Sequence, residues 1–432
     1  ACGSCSACCD QPWRTMIEAD KAHALDHHDF SQYPQLAGKE FYYAAADGRE
    51  GFFDLAKGEG TRCLFLDTDG KCIIHKEFGP EAKPHMCRQF PFISSRTWID
   101  ERVSVNFGCP SIQSHKGTQL IEQAHDIAAT VAVSGRAVEP DRRVPLTATR
   151  TLTQEESNHL VDRALTIFSD GHSGDIWSRF AELLSLITAV AHWKKWQSSE
   201  GSDPELLEAL RSGDLLDHAQ PIEAVAPFDQ PSAAPLSPRV LFAATLQPDT
   251  IPADVVGSLG LLGRFTAIPR LMALAKLSGG YASRLLGRNV NIHTVLAHPI
   301  EKSLDATATD LLLRYFRARF WQRRIAGTRL PILAGVHQHI HDFNAILFYA
   351  RAMAHQEKVS SLSEAQIRKA LTLVEFHLAN QTRLYDQTLK GWLRSQLNNV
   401  EIASQSLRLL ALTAGPRPVG NHVSKLPRSA AI

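Results

Sequence analysis

The sequence predicts a mostly α protein: a small, loop-rich, metal-stabilised N-terminal cysteine module with a β-hairpin, followed by an all-helical domain. Three observations predict it. All eight cysteines (Cys2, Cys5, Cys8, Cys9, Cys63, Cys72, Cys87 and Cys109) lie at or before position 109, and the rest of the 432-residue chain has none. Up to about residue 115, Gly and Pro recur and apolar runs are short. Beyond Pro110, apolar residues recur at helical spacing. The expected organisation is a cysteine module at 1–115, a helical domain at 116–413 and a tail at 414–432.

Within the module, Cys63–Leu66 and Lys71–Ile74 are short strand-like runs joined by Asp67-Thr68-Asp69-Gly70. An Asp-Gly step between apolar runs is a hairpin signal, and this hairpin would carry Cys63 and Cys72 near its ends. Lys83-Pro84 and Phe90-Pro91 punctuate the segment that holds Cys87.

In the second part, Leu120–Val133 reads as a helix and 134–150 as a polar connector. Thr153-Gln154-Glu155-Glu156 reads as a capping box that opens a helix to about Phe168. Ile176–Trp196 has Phe180, Leu183, Leu184, Ile187 and Val190 on one helical face. Asp203-Pro204 opens a short helix to about Arg211. Residues 218–238 hold five prolines and read as a surface loop or linker. Further helices are expected at about 252–279, 304–325, 335–356, 363–379 and 382–398, with a capping box at Ser363-Glu364-Ala365-Gln366. The tail from about 414, rich in Gly, Pro, Lys and Arg, is expected to be disordered.

Composition excludes some classes of function. The net charge of +1 gives no bulk attraction to nucleic acid or an anionic membrane. The most apolar stretches are too short for a membrane span or are interrupted by Arg264, Pro269 and Arg270. No secretory pattern opens the chain, so a cytoplasmic location is expected.

The cysteines carry the chemistry. A Cys-x2-Cys turn puts two thiolates on one side of a loop, at the separation one ion or one cluster edge needs. Cys2-x2-Cys5-x2-Cys8-Cys9 overlaps two such turns. Cys8 and Cys9 are adjacent, so their side chains are expected to diverge, which argues for two sites or a cluster plus a site. Cys63, Cys72, Cys87 and Cys109 would return from loops to this array. His75 forms Cys72-x2-His75 and is an additional candidate ligand; His85 is a weaker one. Arg88 would either stabilise thiolate charge or pair with a carboxylate. Disulfides suit small secreted domains and are not expected here. Zinc and iron both accept four thiolates. The consecutive short spacings favour an iron–sulfur cluster, with zinc the alternative.

The run Cys2-x2-Cys5-x2-Cys8-Cys9, then Cys63-x-Phe65-Leu66, Gly70-x-Cys72-x2-His75, Lys83-Pro84-x2-Cys87-Arg88-x-Phe90-Pro91 and Cys109-Pro110 resembles the CxxCxxCC zinc- or iron-chelating family (YkgJ-like). The resemblance covers roughly 1–112. The chain length and long helical C-terminal part are similar to the flagellin lysine-N-methylase subgroup. That resemblance implies protein-lysine methylation, S-adenosylmethionine as methyl donor and a protein substrate such as flagellin. The residues themselves show no glycine-rich donor loop. Asp47-Gly48-Arg49-Glu50-Gly51 and Gly171-His172-Ser173-Gly174 read as turns, and the Cys-x3-Cys-x2-Cys run of radical enzymes is absent.

Two other constellations stand out. His337 and His341 are spaced to share a helix face and chelate a metal, though without an acidic third ligand a polar helix face is the simpler reading. Arg314, Arg317, Arg319, Arg323 and Arg324 crowd one helix near Tyr315, Phe316, Phe320 and Trp321. Such a mix suits a groove for nucleic acid or an acidic protein, but more commonly one face is solvated and the other packed. No nucleophilic cysteine or Ser-His-Asp arrangement is supported. Two functions follow: a lysine N-methylase-like enzyme, or a non-enzymatic metal protein whose cluster is a fold staple or carrier and whose helices bind a protein partner.

Overall fold

The computed structural model describes residues 6–11, 14–45, 48–96, 101–116, 120–131, 143–193, 202–216, 222, 233–250, 269, 271–277, 279–300, 304–322, 331–378 and 395–410. The helix expected at 382–398 lies largely outside them, as do most of 252–279, most of the proline-rich loop and the tail.

The N-terminal part has short elements. Strand β1 (Met16–Glu18) leads into α1 (Ala19–Asp26). β2 (Tyr42–Ala44) and β3 (Phe52–Leu55) follow, and both β1 and β2 pair antiparallel to β3. The hairpin expected around Asp67–Gly70 is reduced to a turn. Asp67 N–H donates to Lys71 O at 2.8 Å, and Leu66 forms a single bridge to Cys72. The second run does not continue as a strand. It becomes helix α2 (Ile73–Phe78), which buries Ile73 and Ile74. A short apolar run does not by itself distinguish helix from strand, and here the packing of both isoleucines decides. Helix α3 (His85–Gln89) and the antiparallel ribbon β4 (Phe92–Arg96)–β5 (Glu101–Val105) complete this part.

The module has its own small core. Ile17, Leu25, Phe30, Leu36, Leu55, Leu64, Phe65, Ile73 and Ile74 pack together, with Cys63 and Cys72 at its margin. Val105 and Phe107 already belong to the larger helical core. The ribbon therefore hands the chain from one core to the other.

Helices α4 (Pro110–Gln113) and α5 (Ala124–Val131) come next, then the strands β6 (Val144–Pro145) and β7 (Thr151–Leu152), which pair with each other. α6 (Gln154–Ile167) opens with the expected capping box, both reciprocal bonds present. α7 (Ile176–Ala191) buries Phe180, Leu183, Leu184, Ile187 and Val190. α8 (Pro204–Ser212) is capped by Asp203 and ends on Gly213 in the left-handed region, which suits a residue without Cβ. α9 (Leu236–Thr250) is followed by a hairpin the sequence did not suggest, β8 (Gly280–Ser283) with β9 (Arg288–Asn291). Asp249, fully buried on α9, fixes that hairpin. It accepts from Tyr281 Oη (3.1 Å), Ser283 Oγ (2.6 Å), Tyr349 Oη (2.8 Å) and Leu285 N (2.7 Å). The remaining helices are α10 (Ile292–Ala297), α11 (Ala306–Trp321), α12 (Ile332–Glu357), α13 (Glu364–His377, opened by the Ser363 capping box) and α14 (Val400–Arg408). Among the described residues no helix is long and apolar enough to cross a membrane.

α12 is the axis of the helical body. It packs against α7, α9, α10, α13 and α14, and 22 of its 26 residues are buried. The expected polar face is therefore inside the protein. His337 Nδ1 faces Leu397 O at 3.3 Å and Nε2 faces Ser406 Oγ at 2.8 Å. A carbonyl only accepts, so the neutral ring carries its proton on Nδ1 and receives the Ser406 hydroxyl on Nε2. This occupies both nitrogens of His337, and His341 stacks on it with centroids 4.9 Å apart.

Burial pushes His337 down to about 4 and His341 well below the usual range. The unfolded chain binds a proton on His337 at about pH 6.5, whereas the folded chain refuses it until about pH 4, and His341 shifts the same way. The histidines' contribution is complete above about pH 6.5 and is lost as pH falls toward 4. For His337 alone it amounts to about 3 kcal/mol. The urea midpoint should drop steeply between pH 7 and 5, and His341→Leu should flatten that drop. An unchanged slope in this variant would remove the histidines as its cause.

Candidate metal centre

The first described cysteines sit in a tight turn. Cys9 N and Asp10 N both donate to Ser6 O, at 2.7 and 3.2 Å, and Ser6 has a positive φ of 55°. Three bonds stitch this turn to the 57–63 loop. Cys63 N donates to Cys9 O (2.7 Å), Thr61 Oγ1 to Asp10 O (2.8 Å) and Lys57 Nζ to Gln11 O (3.3 Å). Cys9 and Cys63 are thus neighbours through backbone pairing, although 54 positions apart in the chain.

Cys72 is the N-cap of α2, and Ile73 N donates to Phe65 O at 2.8 Å, which holds that helix start against Cys63-Leu64-Phe65. Cys87 lies within α3. That helix is fixed from below: the Glu18 carboxylate receives His85 N–H at 3.1 Å, and Met16 N–H meets Met86 Sδ at 3.1 Å. Arg88 pairs with Glu81, its Nη1 2.6 Å from Oε2, which decides for a carboxylate partner.

Several of the thiols lie near enough for charge on one to act on another. Cys9, Cys63, Cys72 and Cys87 feel one another's charge. Burial pushes Cys63 up to about 11 and Cys87 up to about 12, and it also raises Cys72. Cys9 is raised most by its sulfur contact with Cys8. Two influences oppose this. Backbone N–H groups donate to the sulfurs, Phe65 to Cys63 and both His75 and Ile74 to Cys72. Lys83 supplies positive charge toward Cys9, Cys72 and Cys87. In the sequence Lys83 marks only a Lys-Pro step; its place near the thiols depends on the fold.

Cys8 and Cys9 correct one expectation. Their Sγ atoms do not diverge but lie 3.9 Å apart. Two thiolates on one tetrahedral zinc, each at about 2.3 Å, are about 3.8 Å apart. The tight turn at Ser6 brings adjacent side chains to this separation, so adjacency alone does not require two sites. Cys2 and Cys5 lie outside the described residues. His75 lies on the exposed side of α2, and its backbone N–H, as noted, serves the Cys72 sulfur.

Cys109 is buried and caps α4. The segment around it is keyed into the helical body. Gln113 Nε2 donates to Phe107 O (2.6 Å) and to Thr372 Oγ1 (2.8 Å) on α13. Arg314 on α11 donates to Ile112 O and Gln113 O at 3.3 and 3.1 Å, and Trp321 Nε1 donates to Val103 O at 3.1 Å. The arginine-rich helix thus spends Arg314 on an internal dock and buries Arg319. Arg317 approaches Asp170 at 3.9 Å; Arg323 and Arg324 lie outside the described residues. At Gly108 a Cβ would lie 2.3 Å from the Phe376 ring. Gly108→Ala is therefore expected to cost about 1–3 kcal/mol by overpacking. Denaturant titration measures the loss, and adding Phe376→Ala should recover part of it. No recovery would show that the close approach is not the cause.

The donor chemistry fits a soft or borderline metal: half-buried thiols, N–H donors aimed at sulfur, and too little nearby positive charge for several thiolates. Among the described residues no three Cys, His, Asp or Glu side chains already stand as a finished ion site. Ligands need only be gathered in one region before the ion draws them to bonding distance.

Residues 1–109 match a protein-family model, CxxCxxCC, described as "Putative zinc- or iron-chelating domain". No curated protein and no solved structure matches the chain.

Proposed function

We propose that this protein chelates zinc or an iron–sulfur cluster through Cys9, Cys63, Cys72 and Cys87, and that the metal staples the N-terminal module together. The supporting observation is that these four half-buried thiols, carried by separate turns and helices, lie near enough for charge on one to raise another. Cys8, Cys2, Cys5 and Cys109 supply further thiolates for a larger cluster or a second ion. The short spacings of the N-terminal run favour iron–sulfur over zinc.

Metal and acid-labile sulfide analysis of anaerobically purified protein tests this reading. Iron with sulfide and visible absorption means a cluster; zinc without sulfide means a structural ion. Cys63→Ser and Cys87→Ser should each lower the bound metal. Protein that holds no metal and takes up neither on reconstitution would refute the proposal.

Methyl transfer to protein lysines, with S-adenosylmethionine as donor and a substrate such as flagellin, is supported by sequence resemblance alone. Calorimetry with S-adenosylmethionine on metal-loaded protein is its test, and no binding would remove it. In the non-enzymatic alternative the metal serves as staple or cargo, and the helices bind a protein.

A further inference from the structure

A second place in the molecule brings metal-ligating side chains together, far in sequence from the cysteines. His298 ends α10 and His355 lies in the last turn of α12. Their Nδ1 atoms are 3.4 Å apart, and their ring centroids 5.1 Å apart at an interplanar angle of 73°.

The other nitrogen of His298 settles its tautomer. Nε2 lies 2.7 Å from the carbonyl oxygen of Val359. That oxygen only accepts, so Nε2 carries the hydrogen and the neutral ring presents its Nδ1 lone pair to His355. The carbonyl is itself fixed. Lys358 takes a left-handed conformation, and Val359 N donates to Ala354 O at 3.0 Å, closing the end of α12. Metal-bound histidines are commonly oriented this way, by a backbone carbonyl on the second nitrogen.

The distances separate two uses of the pair. Imidazoles on one tetrahedral ion at about 2.0–2.1 Å place their ligating nitrogens about 3.3–3.4 Å apart and their ring centres about 5.2 Å apart. A head-on N–H···N bond of the observed length would place the centres farther apart, at about 5.7 Å, and such bonds are ordinarily nearer 3 Å. The observed pair matches rings converging on a point between them.

The surroundings suit a cation in one respect and oppose it in another. The C-terminal end of the 26-residue α12 carries partial negative charge. Two cations flank the pair: Lys358 caps the end of α12, and Arg351 turns its Nη2 onto Leu296 O and His298 O, at 2.8 and 3.2 Å, and so braces α10 against α12. His355 is exposed, which leaves a path for the ion.

We propose that His298 and His355 form a second, solvent-accessible site for a borderline divalent transition metal such as zinc. The protein supplies two neutral imidazoles, and water completes the shell. Such a site exchanges metal readily, unlike a buried thiolate centre.

The test uses the full chain with its cysteine module saturated with zinc and excess metal removed. Equilibrium dialysis against Zn²⁺ should show one further equivalent. His355→Ala, an exposed change, and His298→Ala should each weaken that equivalent at least tenfold while leaving the thiol-bound zinc and the circular dichroism unchanged. Cobalt gives an independent readout: the further equivalent should bind without a sulfur-to-metal charge-transfer band. No further equivalent in the parent protein, one that survives both substitutions, or one that shows the sulfur band would each overturn the proposal.

Discussion

Replacing Glu375 with alanine is expected to destabilise the helical body by about 3–5 kcal/mol, because it strands a buried guanidinium. Arg319 on α11 and Glu375 on α13 are 2% and 1% exposed and meet at 2.8 Å. Tyr315 joins them: its hydroxyl accepts from Arg319 Nε and Nη2 at 3.1 and 3.0 Å and donates to Glu375 Oε2 at 3.2 Å. Burial pushes the Glu375 carboxyl up, while Arg319 and the Tyr315 hydroxyl pull it back. Two donors on one carboxylate oxygen favour the ionised pair, and Glu375 in turn raises Arg319. With Glu375 gone, Arg319 keeps its desolvation cost and loses its counter-charge.

The loss should be strongly non-additive. Arg319→Met with Glu375→Leu removes both charges and retains volume, so the double variant should lie closer to the parent than either single one. Denaturant unfolding of the four proteins measures this directly. A single-variant loss below about 1 kcal/mol would mean that the guanidinium finds a replacement partner, and Asp342 is the neighbouring carboxylate. The network also reaches the metal module, because the Tyr315 ring packs edge-on against Phe107 at 5.5 Å, two residues before Cys109.

This network was not legible in the sequence. Arg314, Arg317 and Arg319 read as one basic stripe, and only the neighbours on α13 distinguish the buried arginine from the exposed one. α12 presents the same difficulty. His337 and His341 read as part of a polar helix face, yet partners distant in the chain, Leu397 and Ser406, allow burial of His337. The β8–β9 hairpin escaped because its strands are four residues each and its anchor, Asp249, lies 31 positions before β8 begins. Helix starts were legible because capping is local chemistry: Thr153, Asp203 and Ser363 each accept the backbone N–H bonds expected of them. The cysteines were legible for a different reason. Their residue type restricts the chemistry so strongly that position in the fold adds mainly which of them meet. The sequence did not reveal Lys83 beside them, or that Cys8 and Cys9 could face one ion.

Metal removal is expected to open the N-terminal module and leave the helical body folded. The two parts have separate cores. The module's strands are three to five residues long, and its helices eight or fewer. A core this size is marginal without a staple, and structural metal in small domains contributes up to about 10 kcal/mol or more. The ligand loops hang from one another: Cys9 O holds Cys63 N, and Phe65 O holds the start of α2 at Cys72. Releasing the metal leaves half-buried thiols that stay protonated at neutral pH, with Cys63 at about 11 and Cys87 at about 12. Binding must drive those protons off, so metal affinity should rise with pH through the neutral range. Limited proteolysis after chelation should cut within the first 90 residues, while the helical circular dichroism signal is largely kept. Thermal unfolding should gain a separate low-temperature step. An apo module that resists protease as well as the loaded one would show that its apolar core suffices and that the metal is cargo rather than staple.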